Sequence, residues 1–279
     1  MSVRIIVDST SDVTPEVKPR VLTVPLTIRF GTQEYVDGVT ITNRQFYEKL
    51  IESDELPTTS QAGPDAFAQV FKQLRDAGDT AVVITVASRL SGTYQSACIA
   101  AQDYPEVHVV DGKTVAIGTA ILAELALQLA DEGLTADEIA ARIEEERENV
   151  RLIAMLDTLE YLKRGGRISK TVAFAGGLLS IKPVVAIRDG EIQVIGKARG
   201  SKQGNNLLMQ EIHNAGGVDF TRPLMLGYTG LSDLLLRKYV EDSADLWKDH
   251  CSELPAALIG SVVGTHAGPG AVAVAFFKR

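Results

Sequence analysis

The sequence predicts an α/β protein with two domains. The first half alternates short β-branched runs with helical stretches, which is typical of right-handed βαβ units around a parallel sheet. The second half changes to shorter strands, a two-residue hairpin turn and interspersed helices, an α+β pattern. The change falls near residue 150, and 279 residues are enough for two cores. We therefore predict domains at residues 1–150 and 151–279.

The apolar runs and helix-start residues of the first half predict its elements. Strands are predicted at residues 4–7, 81–86 and 107–110, with extended segments at 21–30 and 35–41. Helices are predicted at residues 43–51, 65–75, 114–131 and 135–149, with a further helix opening after Ser91. Thr42 is the expected cap of the first helix, because its hydroxyl can accept a hydrogen bond from a free backbone N–H.

The second half is less regular. Strands are predicted at residues 152–155, 184–188, 192–196 and 223–228, and helices at 159–163, 172–179, 203–214 and 231–247. Asp189-Gly190 is the dipeptide expected at a two-residue hairpin turn. Residues 256–277 lack charged side chains and could cross a bilayer by length, but the glycines and proline of 264–270 break helices. We expect two short strands around a turn there, and no transmembrane span.

Composition argues against several classes of protein. The net charge of −8 argues against nucleic acid as a partner. Cys98 and Cys251 are the only cysteines, so the sequence has no disulfide framework and no metal-type cysteine spacing. The N-terminal residues enter a strand at once and lack the layout of a signal peptide. We therefore expect a protein of the reducing cytoplasm without a metal site.

The turn Ser91-Gly92-Thr93 lies between a predicted strand and a predicted helix. A helix start carries free N–H groups and partial positive charge, and two hydroxyls flank Gly92, so this turn could hold an anionic oxygen. Ser and Thr also cap ordinary helices. An anion site and a plain helix cap both fit the residues.

Other polar turns are expected near that one. Asp8-Ser9-Thr10 and Asp111-Gly112 follow predicted strands, and ligands of open α/β domains bind beyond the carboxyl ends of strands. Residues 57–61 are predicted as a loop between helices that offers further hydroxyls. Each turn alone is compatible with a structural role, whereas together they form a hydroxyl-rich rim with few charges.

Three cationic or titratable positions are further candidates for a site, and two of them have two interpretations each. His266 precedes Gly268-Pro269-Gly270, which allows close backbone approach to a site, but a turn backbone could also satisfy it. Arg167 ends a basic turn, which is either a solvated helix end or a contact for phosphate, an acidic partner or a membrane. Arg199 is a second candidate for a partner or phosphate contact.

The sequence resembles the DegV family, which includes the fatty-acid-binding subunits of bacterial fatty acid kinase. Each matching motif is short, but their order and spacing over nearly the whole chain are specific. The motifs are residues 6–10, 59–61, 91–97, 159–168, 181–183 and 266–271.

The resemblance implies an N-terminal α/β domain with a parallel sheet and a C-terminal α/β domain with a mixed sheet. It implies one long-chain fatty acid, with its carboxylate near the domain interface and its acyl chain in an apolar tunnel. Thr59 and Ser91 are the hydroxyls expected to bind the carboxylate, and His266 matches the family histidine near it. The remaining expected binding residues are Ser60, Gly92 and Thr93.

The resemblance also implies a role in phospholipid synthesis. The chain would present the fatty acid to a partner kinase related to dihydroxyacetone kinase, which forms the acyl phosphate, with transient membrane contact during transfer. No cofactor other than the bound acid is expected, and no catalysis by the chain itself. One alternative is a lipid hydrolase with Ser91 as nucleophile and His266 as base, although no Gly-x-Ser-x-Gly motif is present. Another is a small-molecule kinase, although no phosphate-binding Gly-x-x-x-x-Gly-Lys motif is present.

Overall fold

The structure, a computed structural model, describes residues 2–168, 181–251 and 253–279. The helix predicted at residues 172–179 lies outside these ranges. Within them, each helix is too short or too polar to cross a lipid bilayer.

The described part of the chain contains thirteen strands and ten α-helices. The strands are β1 Val3–Asp8, β2 Val21–Val24, β3 Thr27–Phe30, β4 Gln33–Val36, β5 Thr58–Ser60, β6 Thr80–Thr85, β7 Val107–Asp111, β8 Val150–Met155, β9 Ile181–Arg188, β10 Glu191–Arg199, β11 Met225–Tyr228, β12 Ala256–Leu258 and β13 Val272–Phe277. The helices are α1 Asn43–Glu52, α2 Pro64–Ala77, α3 Thr93–Ala101, α4 Ile117–Asp131, α5 Ala136–Glu146, α6 Glu160–Arg164, α7 Gly200–Asn214, α8 Leu234–Asp242, α9 Ala244–Trp247 and α10 Ser261–Ala267.

The first sheet has the strand order β2-β1-β6-β7, with every pairing parallel. Because successive side chains of a strand face opposite sides, each strand contributes to two cores. Ile5 and Ile84 pack with α4 and α5, whereas Ile6 and Val83 pack with α1 and α2. The predicted parallel α/β arrangement of the first half is confirmed.

The second sheet has the strand order β10-β9-β8-β13-β11-β12. Only β11 and β12 pair in parallel among these described strands, so the sheet is mixed, as predicted. Asp189 and Gly190 connect β9 to β10 with φ values of 50° and 77°. Two adjacent left-handed residues are the mark of the hairpin turn that the Asp-Gly dipeptide predicts.

A third, antiparallel sheet has the order β4-β3-β5 and places Thr59 opposite Ile28. The prediction of a loop at residues 57–61 is therefore wrong for Thr58–Ser60. The strand β5 is short and polar, and its pairing with β3 is a contact between distant parts of the chain. No local pattern indicates such a strand.

The prediction of two strands around a turn at residues 256–277 is wrong in its middle, where α10 forms. A helical glycine costs about 1 kcal/mol relative to alanine. Here Gly264 packs so closely on Phe46 and Tyr47 that a Cβ would collide with the Tyr47 hydroxyl. The tertiary contact therefore selects the residue that disfavours a helix locally. The predicted helix at 231–247 is also divided in two, at Ser243.

The two halves of the chain share one interface. The first and third sheets use residues before Val150, and the second sheet uses Val150 and later residues. However, α10 packs on α1 and β5 of the first half. The domain boundary near residue 150 stays a prediction.

Candidate functional site

An apolar cavity lies between the two halves. Its volume is about 120 Å³, counted as the space open to the centres of water molecules. Nineteen of its 25 described lining residues are apolar, and they come from both halves of the chain. The six polar ones are Thr10, Thr59, Gln61, Ser91, Arg167 and His266. The site thus combines an apolar wall with a small set of polar groups.

Thr59 and His266 form the only direct side-chain hydrogen bond between two of these polar groups in the described chain, with Thr59 Oγ1 2.9 Å from His266 Nε2. Thr59 reaches the cavity from β5, where the alternation of the strand leaves Thr58 and Ser60 exposed. His266 comes from the last turn of α10. The packing of α10 on β5 brings two residues that are far apart in sequence together.

Ser91 lies in the turn before α3. Its Oγ lies 2.9 Å from Thr93 Oγ1 and accepts the Thr93 backbone N–H at 3.3 Å. Gln61 packs against Gly92 so closely that a Cβ there would collide with the amide, and Gln61 Nε2 donates to Ser96 Oγ at 2.9 Å. The residue after β5 therefore fixes the Ser91 turn against the strand that carries Thr59.

Burial and the nearby Arg167 guanidinium lower the pKa of His266 to about 4. The imidazole is therefore neutral at pH 7 and carries one N–H. Its Nδ1 is buried without a hydrogen-bond partner among the described residues. Gly165 lies against Nδ1, and a Cβ at that glycine would collide with it.

Arg167 is held by two backbone carbonyls. Its Nε donates to Leu90 O at 3.1 Å and its Nη1 to Gly165 O at 2.7 Å. Leu90 immediately precedes Ser91, so the guanidinium links the turn beside His266 to the turn that carries Ser91. The sequence predicts for Arg167 either a solvated helix end or a contact for phosphate, an acidic partner or a membrane, whereas the structure places it on the wall of the cavity.

The start of α10 is tied to the first half by three consecutive residues. The bonds are Tyr47 Oη to Ile259 O at 2.8 Å, Gly260 N–H to Asp12 Oδ1 at 2.7 Å, and Ser261 Oγ to Asn43 Oδ1 at 3.2 Å. Burial raises the pKa of Asp12 well above its usual value. Burial also raises the pKa of Asp37 to about 6, although hydrogen bonds with Ser9 and Ser261 oppose it.

The structure brings together some of the predicted site residues and separates others. Thr59, Ser91 and His266 all line the cavity. Arg167 lines it as well, whereas Ser60, Gly92, Thr93 and Arg199 lie outside its described lining. Gly92 and Thr93 are adjacent to Ser91, Ser60 is exposed, and Arg199 is exposed at the end of β10, where its N–H donates to Gln203 Oε1 at 2.7 Å. Their roles stay predictions.

Thr10 and Gln61 line the cavity but were not predicted as site residues. Thr10 is positioned by Asp8, whose Oδ1 accepts the Thr10 N–H at 2.9 Å and its hydroxyl at 2.6 Å. The other oxygen of Asp8 accepts the Val86 N–H at 2.7 Å. The polar turn at residues 8–10 was a signal for Thr10, but its side-chain direction depends on this buried carboxylate. Within the described ranges, no three His, Cys, Asp or Glu side chains are grouped to hold a metal ion.

Comparison with known proteins gives matches over the whole chain. A sequence model of the DegV family, whose members it describes as uncharacterised, matches residues 2–279. A DegV domain-containing protein from Caldanaerobacter subterraneus is 35% identical over 282 residues, which cover 99% of each chain.

Two solved structures of DegV family proteins are also similar. A protein from Thermus thermophilus described for its fatty acid binding is 29% identical, with a TM-score of 0.88 over 100% of both chains. A protein from Eubacterium eligens loaded with heptadecanoic acid is 25% identical, with a TM-score of 0.86 over 100% of both chains.

Proposed function

Because this chain belongs to the DegV family, we propose that it binds one long-chain fatty acid in the apolar cavity. The carboxylate lies against Thr59 and Ser91, and the acyl chain lies along the apolar wall. The observation that carries this proposal is the pairing of a largely apolar cavity with the hydrogen-bonded Thr59 and His266 on its wall. The fatty acids bound by the Thermus and Eubacterium proteins support it.

The acyl chain supplies most of the binding free energy. Burial of one CH₂ group contributes about 0.8 kcal/mol, so roughly 15 methylenes contribute on the order of 12 kcal/mol before costs. Loss of translational freedom and ordering of the flexible chain reduce that sum. The polar groups are therefore needed mainly to satisfy the buried carboxylate and to orient it.

A buried carboxylate is only an acceptor, so it needs donors. Neutral His266 can donate from Nε2 to Thr59 Oγ1, which leaves the Thr59 hydroxyl proton free for the carboxylate. This tautomer leaves Nδ1 as an unpaired acceptor, which is less costly when buried than an unpaired N–H. In the same way, when the Thr93 hydroxyl donates to Ser91 Oγ, the Ser91 hydroxyl proton is left free for the carboxylate. The Arg167 guanidinium adds positive charge to the site.

The same geometry supports a binding protein rather than a hydrolase. A serine nucleophile needs its base within hydrogen-bond reach. In the described residues His266 bonds to Thr59, whereas Ser91 bonds to Thr93. We therefore propose that the chain catalyses no reaction itself.

We further propose that a partner kinase phosphorylates the bound carboxylate with ATP in the cytoplasm. The family resemblance supports this step, and so does the position of Arg167 beside Ser91, where a guanidinium can neutralise the acyl phosphate formed. Arg199 remains a candidate contact for that partner.

Extraction and mass spectrometry of the purified protein test the fatty-acid proposal. We expect one equivalent of long-chain acid, and a large loss of bound acid in Thr59→Val, which keeps the shape of the side chain and removes its hydroxyl. Thr58→Val is the matched control, because Thr58 is the exposed neighbour on β5. The proposal is wrong if no acid is recovered and added acid leaves the Tm unchanged.

A further inference from the structure

A second, polar groove lies on the other side of the wall that closes the apolar cavity. Its volume is about 520 Å³, counted in the same way. Leu152, Ala186 and Ile187 line both spaces. The charged residues of this groove are Lys113, Arg147, Glu148, Arg151, Arg188, Asp189, Glu211 and Lys278. We call it the charged groove.

The charged groove opens because two neighbouring strands separate. β8 and β9 pair only between Ile153–Met155 and Val184–Ala186, although β8 begins at Val150 and β9 ends at Arg188. Beyond the last pair, each strand stays paired with its outer neighbour, β13 or β10. The gap between the separated ends forms the groove within the sheet.

Two arginines stand at equivalent positions on the separated ends. Arg151 lies two residues beyond Ile153, and Arg188 lies two residues beyond Ala186, the partner of Ile153. The period of two in a strand places them on the same face of the sheet. Partial burial, together with repulsion from Arg188, lowers the pKa of Arg151. The two like charges are therefore held near each other, and attraction from Glu148 and Asp189 offsets only part of this lowering of the pKa.

The local carboxylates leave this charge only partly neutralised. Lys113 pairs with Glu148 at 2.5 Å and Arg188 with Glu211 at 3.6 Å. In the described residues, no carboxylate oxygen lies within 4.0 Å of the Arg151 guanidinium, which instead donates to the carbonyls of Glu148 and Val150. The lining itself has five cations against three carboxylates, a formal charge of +2 within a chain of net charge −8. A fourth carboxylate, Glu144, lies outside the lining and 3.8 Å from Arg147 Nη1.

One donor in the charged groove is already desolvated. The Arg147 side chain is 16% exposed. Its Nε is buried without a hydrogen-bond partner among the described residues, and the carboxylate oxygen Glu148 Oε1 lies 3.7 Å from it, beyond hydrogen-bond distance. Its Nη1 donates to Asp111 O at 2.7 Å, which fixes the guanidinium. A buried donor left without an acceptor costs about 1–3 kcal/mol, so an incoming acceptor is favoured there.

We propose that the charged groove binds a phosphate dianion, either inorganic or carried on a small phosphomonoester. A dianion is attracted by the excess of cations over carboxylates in the lining, and planar guanidinium groups bind phosphate oxygens through paired hydrogen bonds. Arg151 and Arg188 contact the phosphate from opposite sides. This site is separate from the fatty-acid carboxylate and does not depend on the fatty-acid proposal.

Titration with inorganic phosphate and with phenyl phosphate, at constant ionic strength, tests the proposal by calorimetry. We expect saturable binding of at least one probe, weakened at least tenfold in the double variant R151Q/R188Q. The control is R44Q/R237Q, which makes the same change in net charge at two exposed, ion-paired arginines. Tighter binding of phenyl phosphate identifies a phosphomonoester, and equal binding identifies the free ion.

A second measurement needs no variant. Phosphate binding should slow acetylation of Lys113 and Lys278 in the wild-type chain, as read by peptide mass spectrometry, while exposed Lys72 reacts at an unchanged rate. The proposal is overturned if neither probe binds saturably, or if the control variant loses as much affinity as R151Q/R188Q. The groove variant should retain its fatty acid, so failure here is distinguishable from failure of the fatty-acid proposal.

Discussion

The apolar cavity and the charged groove share part of one wall but differ in how their polar groups are balanced. Around the cavity, neutral hydroxyls and a neutral imidazole hydrogen-bond to each other, and Arg167 is held by two carbonyls. In the charged groove, cations outnumber carboxylates among the lining residues, and the buried Arg147 Nε has no hydrogen-bond partner among the described residues. The comparison shows that one sheet can form an apolar surface and a charged surface from adjacent residues of the same strands.

The largest expected effect is the dependence of fatty-acid affinity on chain length, which distinguishes apolar binding in the cavity from electrostatic binding in the charged groove. If the cavity binds through its apolar wall, shortening the acid by six methylenes should cost about 5 kcal/mol, roughly a thousandfold or more in affinity. Competition measurements against a fluorescent fatty acid, with saturated acids of graded length, give this slope. Phosphate binding in the charged groove should instead weaken with salt. A fatty-acid affinity that is independent of chain length would contradict the proposed role of the cavity.

Titration of His266 should affect the stability of the ligand-free protein. Its folded pKa of about 4 lies below the unfolded value of about 6.5, so the unfolded state binds a proton first as pH falls. Stability is therefore lost as the pH falls from about 6.5 to about 4, by on the order of 3 kcal/mol. The free energy of unfolding, measured with denaturant and plotted against pH, should have a different slope in wild type and His266→Gln across this window. Above it the two plots should be parallel.

Titration of the buried Asp37 should change the stability of the protein with pH in the opposite direction. Its folded pKa of about 6 lies above its unfolded value, so stability is lost as the pH rises from about 4 to about 6. Asp37→Asn should remove this loss and make the variant relatively more stable above pH 6. A variant with the pH profile of the wild type would show that the carboxyl group is not protonated in the folded protein.

A smaller effect is expected from Gly165→Ala, which tests whether the close contact with His266 holds the imidazole in place. The added methyl group displaces the ring and breaks its bond to Thr59, so fatty-acid affinity should fall about tenfold. Gly63→Ala is the matched control, because a Cβ at Gly63 would meet no atom within 4 Å. Equal affinities of the two variants would contradict this role of Gly165.

The sequence was sufficient where local chemistry decides the structure. Thr42 caps α1 in a reciprocal arrangement with Gln45, and Asp189-Gly190 forms the hairpin turn. It was insufficient where distant contacts decide. The helix α10 contains Gly264 and depends on Tyr47, and Thr59 is distinguished from Thr58 and Ser60 only by the register between β5 and β3.

In the candidate site, too, the sequence identifies some residues and not others. The motifs that resemble the DegV family identify Thr59, Ser91 and His266, which the fold brings to one cavity. They do not place Arg167, whose direction is set by the carbonyls of Leu90 and Gly165. Nor do they indicate the charged groove, which exists only because the pairing of β8 with β9 stops early.

The contacts of α10 with the first half have a consequence for how the gene can recombine. A helix encoded near the end of the chain covers Phe46 and Tyr47, which are fully buried in the first half. A gene fragment cut near residue 150 would expose to water the sides of those two rings that α10 covers. We expect recombination to transmit the halves together, because a foreign second half would have to reproduce the close approach at Gly264 in order to cover them.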